Sequence, residues 1–422
     1  MSIQPSISSS LTLGRRELLQ LAAAGIAARC GMPWFEALSA HAAAAPSAAR
    51  PKSCILIWFV GGPPHTFTFD PKKQTPFAAI NTAVPGVKLT EHLPKMAGVM
   101  KDVTLLRGMK TSDSNHASAR YLMHTGFRKG QNGVMHPVLG SIVARQLGDL
   151  NNELPNFISV GSAQFGGFGA GHLGPKFSPI RVDNVSEGLH DLQPVGSMRE
   201  FDSRRQLLEE MNVGFVSEHL QASALAHQVT LERASRLMHT PKTKAFDISA
   251  EKANVRESYG SSKLGDQFLL ARRLIETGVK FVEIRQNGWD VHKDTVSQTK
   301  KLSLEFDSPY SALLTDLKQR GLLDSTLVIA MGEFGRNPEN GSSHYSRAWT
   351  TVLAGGGLKH GQAIGDTGKK GDAVENQPIS PGDFLATVCQ ALKIDTASDW
   401  ETSSGRPVPV VAKGAKPVSE LF

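Results

Sequence analysis

Residues 278–292 read GVKFVEIRQNGWDVH, and this stretch predicts how the chain folds. Of its first nine residues, 278–286, four are apolar and three of these are β-branched, as expected for a buried strand. A turn that contains Asp290 and His292 follows at once. Because residues i and i+2 of an extended backbone point the same way, this carboxylate and this imidazole can reach a common point where the strand ends.

Similar apolar runs recur along the chain and alternate with helical patterns. Further strands are predicted at residues 53–60, 103–109, 157–161, 325–331 and 349–354, and helices at 137–147, 202–238, 261–277, 299–320 and 381–392. Continuous apolar strands that alternate with helices indicate an α/β fold with a mostly parallel central sheet and helices on both faces. The long helical stretch at 202–277 predicts a helical insertion, and residues 50–422 are interpreted as a single domain.

The N-terminal residues 1–45 have the pattern of a twin-arginine signal peptide. Arg15 and Arg16 precede a short, alanine-rich apolar run and a zone of small residues. The alternative is an ordinary amphipathic N-terminal helix. No other segment approaches the roughly 18 apolar residues that a membrane span requires. The sequence therefore predicts a periplasmic or extracellular protein that is exported folded.

Composition excludes several classes of protein. The 422 residues carry a formal net charge of +7 without a dense block of Lys and Arg, which argues against nucleic-acid binding and is compatible with anionic small substrates. The chain has no CxxC motif, no Walker loop and no GxGxxG after a first strand. Of three cysteines, Cys30 lies in the signal, and Cys54 and Cys389 are either two unrelated buried thiols or one disulfide.

Polar residues cluster where the predicted strands end, which is where open α/β sheets bind ligands. They are His65 after the first strand, His116 after the second, Asp290 and His292 after 278–286, and Glu333 and Arg336 after 325–331, with His344 eleven residues beyond Glu333. Carboxylate and imidazole together are a usual ligand set for zinc, manganese or iron. Each feature also has an ordinary interpretation: a loop hydrogen bond for Asp290, a Glu333–Arg336 ion pair, and a polar loop histidine for His344.

Several of these motifs together resemble a bacterial family known as domain of unknown function 1501. The resemblance rests on NGWDVH at 287–292, LLDSTLVI at 322–329, MGEFGRNP at 331–338, His344 and VLAGGG at 352–357. It extends to WFVGGPPHTFTFD at 58–70 and to the twin-arginine signal, and so covers residues 14–422.

That family is similar to the alkaline phosphatase and sulfatase superfamily, whose members bind two divalent metals and hydrolyse phosphate or sulfate esters. The resemblance implies metal ligation by Asp290, His292 and His344, with Glu333 near a second metal. Phe334 stands where the superfamily has a histidine ligand, and phenylalanine cannot ligate. We therefore expect one divalent ion of zinc, manganese, iron or calcium, or none, rather than two.

The resemblance also implies a nucleophile near the first strand. Thr66 is the expected nucleophile, with Thr68 and Ser118 as alternatives. Candidate ligands or acid–base groups are His65, His116 and His124, although packing is the better interpretation of His124, and Arg336 can neutralise an oxyanion. The function implied is a metal-dependent hydrolase of anionic small-molecule or glycan esters. The alternative is a non-catalytic protein of the cell envelope that binds or scaffolds and retains a degenerate hydrolase fold.

Overall fold

An eight-stranded sheet organises the chain. The computed structural model describes residues 52–149, 151–162, 169–189, 191–219, 222–402 and 404–422. The strands in chain order are β1 (Ser53–Phe59), β2 (Ala79–Asn81), β3 (Lys88–Thr90), β4 (Val103–Met109), β5 (Phe157–Val160), β6 (Ile180–Val182), β7 (Phe281–Gln286), β8 (Thr326–Gly332), β9 (Gly335–Arg336), β10 (His344–Tyr345), β11 (Trp349–Gly355), β12 (Gln362–Ile364), β13 (Trp400–Glu401) and β14 (Pro407–Val408).

The order of strands in the central sheet is β12-β4-β11-β8-β1-β7-β5-β6. Every neighbouring pair is parallel except the two that involve β11, which runs antiparallel to both β4 and β8. The predicted α/β fold with a mostly parallel sheet is therefore confirmed. The reversal of β11 was not predicted, and it places the glycine triplet at 355–357 at the edge of the sheet opposite to the ends of β1, β7 and β8.

Helices lie on both faces of this sheet. They are α1 (Pro94–Gly98), α2 (His116–Thr125), α3 (Leu139–Gln146), α4 (Met198–His219), α5 (Ala222–His239), α6 (Ala253–Tyr259), α7 (Lys263–Glu276), α8 (Thr295–Gln319) and α9 (Pro381–Ala391). Alternate residues of β1 point to opposite faces. Ile57 accordingly packs in the cluster that includes α7 and α8, whereas Leu56 packs in the cluster that includes α3 and α9.

The expected helical insertion at 202–277 is divided in the structure. Helices α4 and α5 make up its first part, and short helical segments and α6 follow. Helix α7 instead belongs to the sheet layer, because it packs against β7 and buries Leu270 and Leu274 in the core. The insertion is thus shorter than the helical periodicity suggests.

Three further sequence predictions concern the N-terminal signal, membrane spans and the cysteines. The predicted signal at 1–45 lies outside the described residues. None of the described helices combines the length and the apolar character that a membrane crossing requires. Cys54 and Cys389 are both buried and free, in agreement with two separate thiols.

Candidate metal centre

The carboxyl ends of three neighbouring strands, β8, β1 and β7, form the floor of the candidate site. Gly61 and Gly62 follow β1, and Asp290 and Glu333 come after β7 and β8. Gly61 has a φ of +114°, and a Cβ there would lie 2.1 Å from the backbone nitrogen of Asp290. Only glycine fits so close an approach at a positive φ. The turn after β1 therefore holds the backbone of Asp290 at the strand ends.

His116 enters the site from the first turn of α2. Asn115 is the N-cap of this helix, and its side chain accepts hydrogen bonds from the backbone N–H groups of Ala117 and Ser118. The cap starts the helix directly after the loop that leaves β4. His116 is therefore the first helical residue, held where β4 approaches the ends of the other strands.

A two-stranded ribbon brings His344 to the same place. Strands β9 and β10 pair antiparallel, with His344 opposite Arg336. Gly335 permits this turn away from β8, since a Cβ there would lie 2.6 Å from the carbonyl oxygen of Ala348. The register of the ribbon places His344 beside the guanidinium of Arg336.

One carboxylate oxygen lies at the centre of the site. Asp290 Oδ1 lies 3.1 Å from His116 Nε2, 3.0 Å from His292 Nε2 and 3.5 Å from His344 Nε2. One ligand atom each from His116, Asp290 and His344 lie within 4.8 Å of one another, close enough to share a metal ion. Four residues were expected to converge: Asp290, His292, Glu333 and His344. Asp290 and His344 do so together with His116, while His292 contacts Asp290 and Glu333 contacts the far side of His116.

Outer hydrogen bonds fix which nitrogen of each ring carries the proton. His116 Nδ1 lies 2.7 Å from Glu333 Oε1, and His344 Nδ1 lies 2.9 Å from the carbonyl oxygen of Ser114. Carboxylate and carbonyl oxygens accept hydrogen bonds, so both Nδ1 atoms are N–H donors. In the neutral rings, the lone pairs of both Nε2 atoms then face Asp290 Oδ1.

Arg336 forms an ion pair with Asp290 on the buried side of the site. Its side chain is fully buried, and Nη2 donates to Asp290 Oδ1 at 2.5 Å. The remaining hydrogen bonds of the guanidinium go to the backbone carbonyls of Gly61, Gly62 and Ser342. All three nitrogens are thus engaged in holding the loops together, and the positive charge stays next to Asp290.

The neighbouring groups shift the pKa values of Asp290, His116 and His344 in different directions. Partial burial alone would raise the pKa of Asp290, but the hydrogen bond from Arg336 and the charge of His116 hold it far below its usual range. The hydrogen bond to Glu333 raises the pKa of His116. Burial, together with the charge of Arg336, lowers the pKa of His344. Asp290 is therefore anionic and His344 is neutral, with its lone pair toward the carboxylate.

The donor set suits a divalent cation of the zinc, manganese or iron type. Two imidazole nitrogens, each able to ligate when its ring is neutral, converge with one anionic oxygen. The side chains of Asp290 and His292 are 38% and 55% exposed, so one side of the group is open to solvent. Glu333 Oε1 behind His116 matches the carboxylate–histidine arrangement that orients metal-binding imidazoles.

A family model described as "Protein of unknown function (DUF1501)" matches residues 51–422. The chain belongs to the DUF1501 family. A comparison with curated proteins finds no match.

Solved structures with partial similarity to this DUF1501 protein come from the alkaline phosphatase and sulfatase superfamily. The PsFucS1 sulfatase from Pseudoalteromonas sp. is 13% identical with a TM-score of 0.42, covering 86% of this chain and 72% of its own. The alkaline phosphatase from the Antarctic bacterium TAB5 is 12% identical with a TM-score of 0.37, covering 82% and 99%. Lipoteichoic acid synthase LtaP from Listeria monocytogenes is 10% identical with a TM-score of 0.36, covering 83% and 74%. Similarity at this level does not carry their activities to the DUF1501 chain.

Glu333 occupies a different position from the one expected for a metal ligand. It is fully buried, and Oε1 accepts hydrogen bonds from His116 and from the backbone N–H of Gly61. The alternative in which Glu333 and Arg336 pair with each other is wrong, because Glu333 contacts His116 and Arg120 whereas Arg336 contacts Asp290. Glu333 reaches the three converging ligand atoms only through His116.

The predicted catalytic residues of the first loop lie in a buried 3₁₀ helix, His65–Phe67. Thr66 is fully buried, and its hydroxyl donates to the carbonyl oxygen of Pro338 at 2.9 Å. His65 is also buried, with Nε2 2.8 Å from the carbonyl oxygen of Gly371. Both side chains thus hold loops together in this structure, and their catalytic roles stay predictions.

His116 is the residue that sequence reasoning undervalued. The sequence placed it at a strand end as a candidate ligand or acid–base group, with no more weight than His65 and His124. The available signal was local, because Asn115 before an apolar helical pattern predicts an N-cap and puts His116 in the first turn. Phe334, where a histidine ligand was expected, packs its ring 4.9 Å from His116 and 4.7 Å from His344.

Proposed function

We propose that this DUF1501 protein is an exported hydrolase of sulfate or phosphate esters that binds one divalent cation between His116, Asp290 and His344. The observation that carries the proposal is the orientation of the two imidazoles. The neutral His344 turns its Nε2 lone pair toward the anionic Asp290 Oδ1 at 3.5 Å, and His116 Nε2 lies 3.1 Å from the same oxygen. Electron-rich atoms at that separation repel one another unless a proton or a cation lies between them.

The open side of the site favours a catalytic over a structural ion. Structural zinc sites are closed by four protein ligands, whereas catalytic sites keep a position for water or substrate. Here the buried groups, Glu333 and Arg336, lie behind the ligands, and the more exposed His292 lies on the solvent side. A bound divalent ion would supply a Lewis acid and a water of lowered pKa.

The residues of the chain have distinct parts in this proposal. Glu333 accepts a hydrogen bond from Nδ1–H of His116, and the carbonyl oxygen of Ser114 accepts one from Nδ1–H of His344. Arg336 keeps Asp290 ionised and in place. His292 Nε2, 3.0 Å from Asp290 Oδ1, is close enough to add a ligand or to exchange a proton with substrate.

Metal binding is tested on purified protein by elemental analysis and by titration with zinc, manganese, iron and calcium. We expect one ion per chain in the wild type and none in Asp290→Asn or His344→Ala. The matched controls are Asp202→Asn and His239→Ala, because these residues form a similar exposed pair with Nε2 and Oδ2 3.2 Å apart, away from the site.

Hydrolysis of para-nitrophenyl sulfate and phosphate tests the reaction. We expect release of nitrophenol that a chelator abolishes and that is lost in Asp290→Asn. Wild-type protein that contains no metal and cleaves neither ester would disprove the proposal. In parallel, Thr66→Val against Thr66→Ser tests the predicted nucleophile, with the melting temperature of each variant measured beside its activity. A reacting hydroxyl makes Val inactive even where it is as stable as the active Ser variant, whereas a hydroxyl that only holds the loop through Pro338 lowers the melting temperature and the activity of Val together.

The non-catalytic alternative has one observation in its favour. The guanidinium of Arg336, 2.5 Å from Asp290 Oδ1, already provides a cation beside the carboxylate. In this second proposal the Arg336–Asp290 pair substitutes for a metal, and the protein binds a partner in the cell envelope. Metal-free wild-type protein with the same melting temperature before and after addition of divalent ions would favour it.

A further inference from the structure

A cavity separate from the candidate metal centre lies beyond the carboxyl ends of β5, β6 and β7. It has a volume of about 590 Å³. Small-molecule sites are usually about 300–1,000 Å³. Its lining includes residues directly after these three strands and residues from α7 and α8: Ser162, Asn184, Asn287, Gln267 and Glu305. Neither the metal ligands nor the groups behind them line it.

Three amide side chains in this lining have buried oxygen atoms without a hydrogen-bond partner among the described residues. They belong to Gln267, Gln286 and Asn287. Gln286 is the most informative, because it is 3% exposed and its Nε2 donates to the carbonyl oxygen of Leu302 at 3.0 Å. That bond fixes the orientation of the amide and leaves Oε1 as the unsatisfied acceptor. Buried acceptors of this kind are rare, and they call for a donor.

Charged groups of both signs also line the cavity. Lys263 and Arg285 are basic, and Asp183, Asp266 and Glu305 are acidic. Arg285 is held in place because its Nε donates to the buried Glu283 at 2.6 Å. An anion would be repelled by the acidic side chains and by the unpaired amide oxygens, and a cation would be repelled by Lys263 and Arg285. Hydroxyl groups, which donate and accept, satisfy both kinds of lining.

From this combination we infer that the cavity is a binding site for a neutral, hydroxyl-rich ring, that is, a sugar unit. Asn287 lines the cavity at the end of β7, and Asp290 is only three residues farther along the same turn. The sugar would then be the part of the ester that the metal centre does not contact. This assignment of the sugar to the substrate rests on the proposed hydrolase activity. The binding itself needs no metal.

Saturation-transfer NMR with galactose, glucose and N-acetylglucosamine tests the inference on the wild-type protein. Sodium sulfate and ammonium chloride serve as competing anion and cation. We expect saturation of at least one sugar that neither salt displaces. Gln267→Leu and Asn287→Ala each remove an amide, and each should weaken binding by about two- to tenfold, the value of one or two neutral hydrogen bonds. Gln319→Leu, at an exposed glutamine of α8, is the matched control and should bind as the wild type does.

The Asp290→Asn variant separates this inference from the proposed function. Sugar binding that persists in this variant and in chelator-treated protein supports the cavity, even if no metal binds and no ester is cleaved. The inference is overturned if none of the three sugars is saturated, if sulfate or ammonium displaces them, or if both amide variants bind like Gln319→Leu. Circular dichroism of each variant establishes that it is folded before binding is scored.

Discussion

Single residues decide which groups belong to the candidate metal ligands and which lie behind them. From sequence, Glu333 and Asp290 are equivalent, since each is an acid shortly after a strand. In the structure Glu333 follows β8 without an intervening turn and stays fully buried, whereas Asp290 lies four residues beyond β7 and is partly exposed. The number of residues between strand and acid therefore separates a supporting carboxylate from a candidate metal ligand.

Glu333→Gln tests this supporting role. The amide can still accept the Nδ1 proton of His116, but it lacks the charge that strengthens the hydrogen bond. We expect metal affinity to fall by about tenfold to a hundredfold, as for other outer partners of ligating histidines. Titration against a competing chelator measures the change. Glu339→Gln, an exposed position on the following loop, should leave the affinity unchanged; equal losses in both variants would contradict the assignment.

Gly61→Ala tests the close approach of two strand-end turns. The new Cβ would lie 2.1 Å from the backbone nitrogen of Asp290 at a φ of +114°. We expect a loss of about 3 kcal/mol in the free energy of unfolding, since strain and a backbone clash add. Gly86→Ala is the control, because Gly86 also has a positive φ but has nothing within 4 Å of the added Cβ. Urea denaturation of both variants measures the difference, and similar losses would refute the clash.

At the level of elements, long apolar runs were predictable and short or reversed strands were not. The runs at 103–109 and 349–354 match β4 and β11 closely, because a strand buried on both faces must be apolar throughout. Strands β6 and β12 have three residues each, with partly exposed positions, and they leave too little pattern to detect. The direction of β11 leaves no trace in composition, because parallel and antiparallel strands of the interior have the same apolar pattern.

Strand β7 carries a buried charge whose ionisation should affect stability. Burial alone would raise the pKa of Glu283, but the charge of Arg285 and the contact with His124 lower it to about 2 from 4.5. A carboxylate with a lowered pKa in the folded state stabilises above its unfolded pKa, and this stabilisation is lost as the pH falls. It should be complete above about pH 5 and should disappear between pH 4.5 and about 2.

Glu283→Gln should therefore make unfolding less dependent on pH in this acidic window. At neutral pH the variant should also be less stable, because Arg285 loses its ionised partner at 2.6 Å. Thermal denaturation from pH 2 to 7 measures both effects. Glu257→Gln, at an exposed position, should show the acid dependence of the wild type. An unchanged slope in Glu283→Gln would mean that other carboxylates control acid unfolding.

At the scale of the whole molecule, one geometric rule explains how much of the site was predictable. The carboxyl ends of β1, β4, β7 and β8 lie at one edge of the sheet, so residues far apart in sequence meet there. From sequence alone, this rule predicted that Asp290, His292, Glu333 and His344 meet at one place. It could not assign ring tautomers or tell a ligand from its support, because those depend on contacts such as that of His344 with the carbonyl oxygen of Ser114.

The location of the whole protein rests on the N-terminal pattern and is tested by replacing its paired arginines. The twin-arginine pathway carries folded proteins, so a metal centre assembled in the cytoplasm would cross the membrane intact. We expect the double variant Arg15→Lys, Arg16→Lys to accumulate in the cytoplasm, where cell fractionation and immunoblotting detect it. Arg29→Lys keeps the pair and changes an arginine beyond the apolar run, so this variant should be exported normally. Export of the wild type, the double variant and Arg29→Lys alike would exclude the pathway. The proposed metal centre would then have to form in the compartment that receives the chain.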